Sequence, residues 1–243
     1  MDPKTQTVAF FGASTGVGLA ALKHSLEAGL QCIALCRTPA KLTAIFPEGS
    51  TPNLKIVKGD AHDITPVSEC LRTKDGKLVD MIISTIGSKP VLSKLSVEDP
   101  ECCRKGAAIM IEAISQLRAS GVTGNPHIVS FSTTGLSRFG RDVPYLMIPL
   151  YHVALKVPHE DKRIMEDRFV ESGVTFTIVR GSLLTNGETT NTVRVGIEDP
   201  KTGRESSAIG YTISREDSGK WITENLILQK NEKYTNKILM ITT

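Results

Sequence analysis

The feature that most constrains this chain is a short apolar run that ends in three closely spaced glycines. Residues 8–11 are apolar, Gly12, Gly16 and Gly18 follow, and an apolar, helix-forming segment resumes at Leu19. This order is typical of a strand that turns into a helix, with the first glycine at the tight exit and the others permitting close backbone approach. The pattern predicts a dinucleotide-binding turn, with a pyrophosphate at the helix N-terminus, where free amides and the positive dipole end meet.

The surroundings of the glycines decide how much weight they carry, because glycine-rich turns also occur for purely steric reasons. Residues 19–28 have a helical pattern, in which Ala21 is expected to keep the helix close to the sheet. A second apolar run at residues 32–36 follows. Together these segments form a βαβ unit, the context that a dinucleotide site requires.

The residue after this second strand predicts which dinucleotide is bound. Proteins that bind NAD usually carry an acid about 20 residues beyond the glycines, for the ribose 2′-hydroxyl. Here the sequence is Cys36-Arg37-Thr38, and Lys41 follows one helical turn later. A guanidinium pairs with a 2′-phosphate and stacks on adenine, so the sequence favours NADP(H). The alternative is that Arg37 and Lys41 only solvate the start of a surface helix.

Length and charge point to one globular domain over residues 1–243. A chain of 243 residues with a formal net charge of +3 can bury one large core. Its basic residues are interleaved with acids, and there is no aromatic platform for single-stranded nucleic acid, so we expect no nucleic-acid partner.

The cysteines and the apolar segments indicate an intracellular protein. The cysteines, at 32, 36, 70, 102 and 103, are odd in number and lack paired metal-ligand spacing. We therefore expect a reducing compartment and no metal site. The chain shows no leader pattern, and its most apolar later segment, residues 143–157, is too short and too interrupted to span a bilayer. A cytoplasmic protein without membrane contact is expected.

Short apolar runs alternate with helical patterns along the rest of the chain. The further predicted strands are residues 54–57, 79–84, 127–131, 174–179 and 237–241. Runs that are apolar on both faces suit a parallel sheet covered by helices on both sides, so the fold class is α/β, a Rossmann-type doubly wound parallel sheet. Predicted helix starts are Thr38-Pro39, Thr65-Pro66, Asp99-Pro100 and a capping box at Ser214, and predicted helix ends are Gly29 and Gly173.

Residues 181–212 differ from the rest, because they are polar and lack regular periodicity. In an open α/β sheet, ligands bind outside the carboxyl ends of the strands. This small C-terminal region is therefore a candidate cover for a substrate. A solvated connection that contacts no ligand is the alternative.

The order of these motifs resembles the short-chain dehydrogenase/reductases over nearly the whole chain. The residues that carry the resemblance are Gly12, Gly16 and Gly18, Arg37, Gly59-Asp60-Ala61, Ser84-Thr85-Ile86-Gly87 and Val179-Arg180-Gly181. Pro158-His159-Glu160-Asp161-Lys162, Glu166 and Ile213-Ser214-Arg215-Glu216-Asp217 are similar to the atypical NmrA-like and biliverdin-reductase-B-like branch.

The resemblance implies a set of NADP(H) contacts. It implies Ser14, Thr15, Gly16, Val17 and Gly18 on the pyrophosphate, Arg37 on the 2′-phosphate, Asp60 and Ala61 at the adenine, Thr85, Ile86 and Gly87 beside the ribose and diphosphate, and Gly181, Ser182 and Leu183 near the nicotinamide amide. The residues themselves support only the first two groups. Asp60 is equally a turn residue after a strand, and Gly87 a strand exit.

The chain departs from the family at the usual proton donor. Tyrosine-dependent members place a Tyr four residues before a Lys, so that the phenol protonates a carbonyl oxygen and the ammonium lowers its pKa and holds the nicotinamide ribose. Lys162 corresponds to that lysine, followed by Glu166, but the tyrosine position is Pro158. Tyr151 and Lys156 do not replace the pair, since five residues turn them about 140° apart on a helix.

The proton must then come from another group or from solvent. The candidate side chains are Ser132 with Thr133, Tyr151, His152 and His159, each of which has a purely structural alternative in packing or in satisfying strand ends. Lys162 is expected to contact the ribose, with an ordinary surface pair to Glu166 as the alternative.

We therefore expect an NADPH-dependent reductase of a hydrophobic carbonyl, quinone or enone-type small molecule, with Tyr145, Met147, Tyr151, Leu183 and Leu184 available to line its cleft. Two alternatives stay open. One is a redox-neutral isomerase, cyclase or dehydratase of a biosynthetic pathway on the same fold, and the other is a non-catalytic NADP-binding regulator. The predicted helix at residues 99–119 is compatible with a monomer or a homodimer.

Overall fold

A parallel sheet with helices on both faces organises the protein. The computed structural model describes residues 6–91, 96–151 and 155–243, so that the candidate donor His152 lies outside the described residues. The helices in the described part are α1 (Gly16–Glu27), α2 (Ala40–Thr43), α3 (Ile64–Cys70), α4 (Cys102–Ala119), α5 (Lys156–Glu171) and α6 (Arg215–Ile222). The strands are β1 (Thr7–Phe11), β2 (Gln31–Cys36), β3 (Leu54–Lys58), β4 (Met81–Ser84), β5 (Pro90–Val91), β6 (Ser96–Val97), β7 (His127–Thr133), β8 (Phe176–Gly181), β9 (Leu183–Thr185), β10 (Arg194–Asp199), β11 (Gly203–Ser206), β12 (Thr212–Ser214) and β13 (Lys237–Thr242).

The main sheet has the strand order of a doubly wound fold. Nine strands lie in the order β11-β10-β13-β8-β7-β4-β1-β2-β3. The seven strands from β13 to β3 pair in parallel, whereas β10 and β11 run antiparallel at one edge. The direction of winding reverses between β1 and β4, where such sheets bind ligands beyond the carboxyl ends of the strands. The predicted fold class is confirmed.

Alternate residues of the central strands enter two separate cores. In β1, Ala9 and Phe11 pack among residues of α3, α4 and α5, while Val8 and Phe10 pack among residues of α1 and α6. Successive side chains of a strand point to opposite faces, so a strand covered on both sides must be apolar throughout. This is why the strand sequences show no polar alternation.

Several predicted helix boundaries are confirmed and three are shifted. Helix α2 begins at Ala40, with Pro39 rather than Thr38 at its cap position. The Ser214 hydroxyl accepts a hydrogen bond from the Asp217 amide at 2.9 Å, and Gly29 and Gly173 have φ values of +80° and +71° after α1 and α5. The cap of α3, however, is Asp63, whose carboxylate accepts from Thr65 N at 3.0 Å. The prediction of a cap at Thr65 is wrong because Pro66 lies inside the first turn. Helix α4 begins at Cys102 rather than Asp99.

The region predicted to lack regular structure contains four short strands. Strands β9 and β12 form a parallel pair, and β10 and β11 extend the main sheet beyond β13. The expectation of irregular structure is wrong there because strands at the edge of a sheet or next to it, half exposed to water, carry polar residues. No helix in the described ranges is both long enough and apolar enough to cross a membrane.

Candidate functional site

The glycine turn is shaped by the neighbouring strand β4. The Thr85 hydroxyl donates to the carbonyl oxygens of Phe11 at 3.2 Å and Gly12 at 3.1 Å. A Cβ on Gly18 would lie 2.2 Å from Thr85 Oγ1 and one on Gly12 would lie 2.7 Å from the Thr85 carbonyl oxygen. Gly12 and Gly18 are therefore required for close packing within the protein, while contact between Gly18 and a pyrophosphate stays a prediction.

Gly16 has the open surroundings that a ligand needs. Its φ is +60°, and a Cβ there would have no neighbour closer than 3.5 Å, the Cδ of Arg215. No side chain caps α1 at Thr15. The first amides of α1 are thus not taken by a capping side chain, and an anion at this end gains both hydrogen bonds and the helix dipole. Ser14 and Thr15 lie exposed or half-buried in this turn, while Val17 is buried in the core.

Arg37 and Lys41 lie at the carboxyl end of β2. Both are exposed, and neither side chain forms a hydrogen bond or ion pair with a described residue. Burial and nearby carboxylates raise the pKa of the Cys102 thiol, and the charge of Arg37 opposes them. Arg37 is therefore near enough to the start of α4 for its charge to act on Cys102.

Asp60 has a local structural role at the end of β3. Its Oδ1 accepts a hydrogen bond from His62 N at 3.0 Å, the geometry of an Asx turn. The turn-residue interpretation of Asp60 is therefore supported, and it leaves the carboxylate half exposed beside Ala61. Contact between these two residues and an adenine stays a prediction.

The residues that follow β4 divide into two that are packed against the protein and one open position. Thr85 holds the glycine turn, and Ile86 is buried against α4, where a Cβ on Gly106 would lie 2.8 Å from Ile86 Cδ1. Gly87 is exposed, with no atom within 4 Å of a Cβ placed there. Gly87 is thus the member of this group with space for a ligand.

At the carboxyl end of β8, Leu183 is the exposed residue. Gly181 pairs with Thr133 of β7 and is packed against the Phe131 ring, and the Ser182 hydroxyl donates to Thr242 Oγ1 at 3.0 Å. The Leu183 side chain is 41% exposed. Of the three predicted nicotinamide contacts, two are fixed in the core and one faces open space.

Lys162 reaches the carboxyl end of β7 from α5. Its ammonium donates to the Phe131 carbonyl oxygen at 3.2 Å. Glu166 is buried, and its carboxylate is bound by Arg180 instead. The alternative of a surface Lys162–Glu166 pair is therefore wrong. Pro158, at the tyrosine position, lies in the first turn of α5, one turn before Lys162.

The other predicted catalytic side chains lie close to one another beside this lysine. The Tyr151 phenol is 3.5 Å from Thr134 Oγ1, and its ring lies 5.5 Å from the His159 ring, between centroids. Burial raises the pKa of Tyr151, so the phenol keeps its proton at neutral pH. Ser132, two residues before Thr134 on the same face of β7, is 1% exposed, and its hydroxyl has no hydrogen-bond partner among the described residues.

Sequence reasoning missed a buried network of charges behind this cluster. Arg180 binds Glu166 and also Glu198 of β10, at 3.1 Å from Nη1 to Oε2. Glu198 in turn accepts from Arg204 Nη2 at 3.0 Å and from the Ser137 hydroxyl in the loop after β7. A charged residue directly after a predicted buried strand, as Arg180 is after residues 174–179, was the available signal, because buried charges require partners.

Two further residues act through the backbone. The Asp161 carboxylate accepts from the amides of Cys103 at 2.8 Å and Arg104 at 3.0 Å, and so caps α4 from α5. The Arg215 guanidinium donates to the carbonyl oxygen of Thr185 at 3.0 Å while its stem lies beside Gly16. Asp161 and Arg215 both lie in segments that carry the family resemblance, but spacing alone gives no information on their partners.

The expected cleft is lined by only part of the predicted set. Tyr145 lines a cavity of about 730 Å³. Tyr211, which was not among the residues predicted to line the cleft, lines the same cavity. Tyr151 is only 3% exposed and lies in the cluster with His159. Met147 is not among the described residues that line this cavity. Tyr151 was expected in the cleft but is covered by Gly135 and its neighbours.

Comparison with known proteins shows the family to which the chain belongs. The family described as NAD(P)H-binding matches residues 12–227. "Reductase pytE" of Aspergillus terreus is 37% identical over 268 residues, covering 100% of each chain. "Oxidase pynE" of Aspergillus niger is 30% identical over 280 residues, covering 97% of this chain and 98% of the relative.

A solved structure shares the fold at low sequence identity. It is a short-chain dehydrogenase/reductase from Veillonella parvula in complex with NADP, with a TM-score of 0.73 and 12% identity over 98% of this chain and 94% of that one. Both fungal relatives are named for oxidation or reduction, so the expectation of an oxidoreductase is confirmed, and the hypothesis of a non-catalytic regulator loses its support.

Proposed function

Because the chain belongs to the family described as NAD(P)H-binding and is an oxidoreductase, we propose that it is an NADPH-dependent reductase of a hydrophobic carbonyl, quinone or enone-type small molecule. The observation that carries the choice of NADPH is the exposed Arg37 after β2, which forms no ion pair with a carboxylate of the described residues. A guanidinium without a carboxylate partner is ready to bind a phosphate, while an acid at this position would repel one.

The proposed cofactor site follows the carboxyl edge of the sheet. The uncapped N-terminus of α1 and the open space at Gly16 suit the pyrophosphate, and Arg37 with Lys41 suit the 2′-phosphate. Gly87 and Leu183 are the exposed positions on the way to the nicotinamide end. The residues present therefore fit a dinucleotide along the whole edge.

The proposed chemistry uses the side chains around Lys162. When bound, the reduced nicotinamide supplies a hydride to the acceptor carbon. Lys162 is held at the end of β7 by Phe131, where its ammonium can bind ribose hydroxyls. Ser132 carries a buried hydroxyl that lacks a partner among the described residues, which suits a hydrogen bond to a carbonyl oxygen. Tyr151 and His159 remain the other candidate donors, with solvent.

The choice of cofactor is tested by measuring the dissociation constants of NADPH and NADH by calorimetry. Arg37→Glu is expected to weaken NADPH binding at least tenfold and to leave NADH binding within about threefold, since a charge-assisted pair is worth about 1.5–3 kcal/mol. Arg72→Glu, an exposed arginine outside the proposed site, makes the same change in net charge and should alter neither constant. Unchanged NADPH preference in Arg37→Glu would discard this assignment.

A second candidate function is a redox-neutral isomerase, cyclase or dehydratase, which Pro158 at the usual tyrosine position favours. Stoichiometry separates the two functions. The test offers the enzyme a panel of quinones, enones and ketones and measures the loss of NADPH by the absorbance of the reduced nicotinamide. A reductase consumes one NADPH for each product molecule that it forms. Conversion of substrate without loss of NADPH would replace the reductase proposal by the redox-neutral one.

A further inference from the structure

A cavity of about 730 Å³ lies beside the proposed nicotinamide end of the site. Its described lining includes Tyr145 from the loop after β7, Arg194 from β10, and Tyr211 and Thr212 at the start of β12. Strand β12 pairs with β9, so that Thr212 lies opposite Leu183, and the Leu183 amide donates to the Tyr211 carbonyl oxygen at 3.2 Å. The cavity therefore adjoins the residues proposed to contact the nicotinamide.

The cavity carries positive charge without acidic side chains. Arg141 and Arg194 both line it, and no Asp or Glu is among its described lining residues. Neither guanidinium lies within 4.0 Å of a carboxylate side chain in the described ranges. Arg141 donates to the Val143 carbonyl oxygen at 2.6 Å, which leaves most of its donors unused, since an arginine has five.

Arg194 contributes charge and also holds the wall in place. Its Nη2 donates to the carbonyl oxygens of Ile209 at 3.3 Å and Thr243 at 3.2 Å. These bonds connect the start of β10 to the segment that leads into β12. Arg141 is therefore the cation with more freedom to bind a ligand, and Arg194 adds a second positive charge to the lining.

The walls between the two cations are apolar and exposed. Tyr145, Leu146 and Tyr211 are 76%, 81% and 53% exposed. Large apolar side chains grouped around a cavity mark a place where a ligand removes surface from water. The Arg141 guanidinium lies 4.0 Å from the centre of the Tyr145 ring, so that charge and aromatic surface are offered together.

We propose that this cavity binds the substrate as a planar, conjugated acid, with its carboxylate or ionised enol bound by Arg141 and its ring system packed on Tyr145 and Tyr211. This inference rests on the proposed function, because only that function makes the bound molecule the substrate. It narrows the substrate class from hydrophobic carbonyl compounds in general to those that carry a delocalised negative charge.

The test measures binding without turnover, using 2-naphthoic acid and its neutral analogue 2-naphthamide as probes in calorimetric titrations of the full chain. We expect naphthoate to bind at least tenfold more tightly than the amide, and its affinity to fall as salt screens the charges. Arg141→Gln should remove about tenfold of the naphthoate affinity and leave the amide unchanged. Arg138→Gln, at an exposed arginine paired with Asp167 outside the cavity, should change neither.

The outcomes separate this inference from the proposed function. Equal binding of the two probes, absence of binding, or an unaltered naphthoate affinity in Arg141→Gln would overturn the acidic-substrate site even if quinones or ketones are reduced. If Arg141→Gln fails to fold, the salt dependence of naphthoate binding to the unmodified protein decides the same question. Charge-dependent naphthoate binding combined with unaltered NADPH preference in Arg37→Glu would retain the site and discard the cofactor assignment.

Discussion

Arg180 and Glu166 form a two-point ion pair inside the protein. Arg180 Nε donates to Glu166 Oε1 at 3.1 Å and Arg180 Nη2 donates to Glu166 Oε2 at 2.6 Å, and both side chains are 4% exposed. Although burial alone would lower the pKa of Arg180, the carboxylates of Glu166 and Glu198 hold that pKa above its ordinary value. The pair joins β8 to α5, the helix that carries Lys162, so it supports the proposed catalytic cluster from behind.

Removing one charge of this pair should destabilise the fold strongly. Glu166→Gln leaves a buried guanidinium with one carboxylate fewer, and breaking a buried pair in this way costs about 3–5 kcal/mol. Urea unfolding should show a loss of at least about 2 kcal/mol. Glu160→Gln, on the same helix and 3.7 Å from Arg163 at the surface, should lose less than about 0.5 kcal/mol. Equal losses in the two variants would show that the buried pair does not stabilise the fold.

Replacing Lys162 should weaken NADPH binding more than it weakens the fold. We expect Lys162→Met to raise the dissociation constant of NADPH about tenfold, because a hydrogen bond to a charged group contributes about 1.5–3 kcal/mol. Lys156→Met, at the first residue of α5, is the matched control and should leave the constant unchanged. Calorimetry with NADPH measures both. An unchanged constant in Lys162→Met would assign the lysine a structural role at Phe131 only.

Removing the Ser132 hydroxyl should affect turnover but not stability. A buried hydroxyl without a partner costs free energy, so Ser132→Ala is expected to keep or raise the free energy of unfolding by up to about 1 kcal/mol. If the hydroxyl binds the substrate oxygen, kcat for the best substrate of the carbonyl and quinone panel should fall at least tenfold. Ser130→Ala, two residues earlier on the same face, where the hydroxyl lies 3.5 Å from Met165 Sδ, should keep kcat. Equal kcat values in both variants would exclude Ser132 as the proton donor.

The fold was predictable because its signals are local. Apolar runs mark the buried strands, and Gly29, Gly173 and Ser214 mark helix ends through their own backbone or hydroxyl chemistry. Strands β10 and β11 were missed because they carry no apolar run: the buried positions of β10 are Gly196 and Glu198, and β11 is half exposed or exposed throughout. Their place beside β13 depends on pairing across the sheet, which sequence spacing does not encode.

The site was predictable only where one residue's chemistry suffices. The glycine turn and Arg37 could be recognised on their own, since a tight turn needs glycine and a phosphate needs a cation. The roles of Gly18 and Glu166 could not, because Gly18 accommodates Thr85 from another strand and Glu166 is bound by Arg180 rather than Lys162. Such partners are set by tertiary packing between segments distant in sequence.

His127, at the start of β7, is a half-buried imidazole with a defined hydrogen bond. Its Nε2 lies 2.8 Å from Thr177 Oγ1, and the Thr177 hydroxyl donates its own proton to the Tyr234 carbonyl oxygen at 2.7 Å. The Thr177 oxygen must therefore accept, so Nε2 carries the ring proton. Burial lowers the pKa of His127 from 6.5 to about 4. Between about pH 4 and pH 6.5, therefore, the His127 ring is neutral in the folded protein but protonated in the unfolded chain.

This shift predicts an acid sensitivity that one substitution should remove. Because the pKa of His127 is lower in the folded state, the contribution of the neutral ring to the free energy of unfolding is fully present above pH 6.5 and is lost as the pH falls toward 4. At about 1.4 kcal/mol per pH unit, the loss amounts to up to about 3 kcal/mol. His127→Gln offers an amide donor to Thr177 without a titrating group. In urea unfolding between about pH 7 and about pH 4.5, the original protein should lose stability relative to His127→Gln with a slope approaching one proton. Parallel pH profiles would show that His127 titrates alike in the folded and unfolded states, and the expected loss would then have to be assigned to other groups.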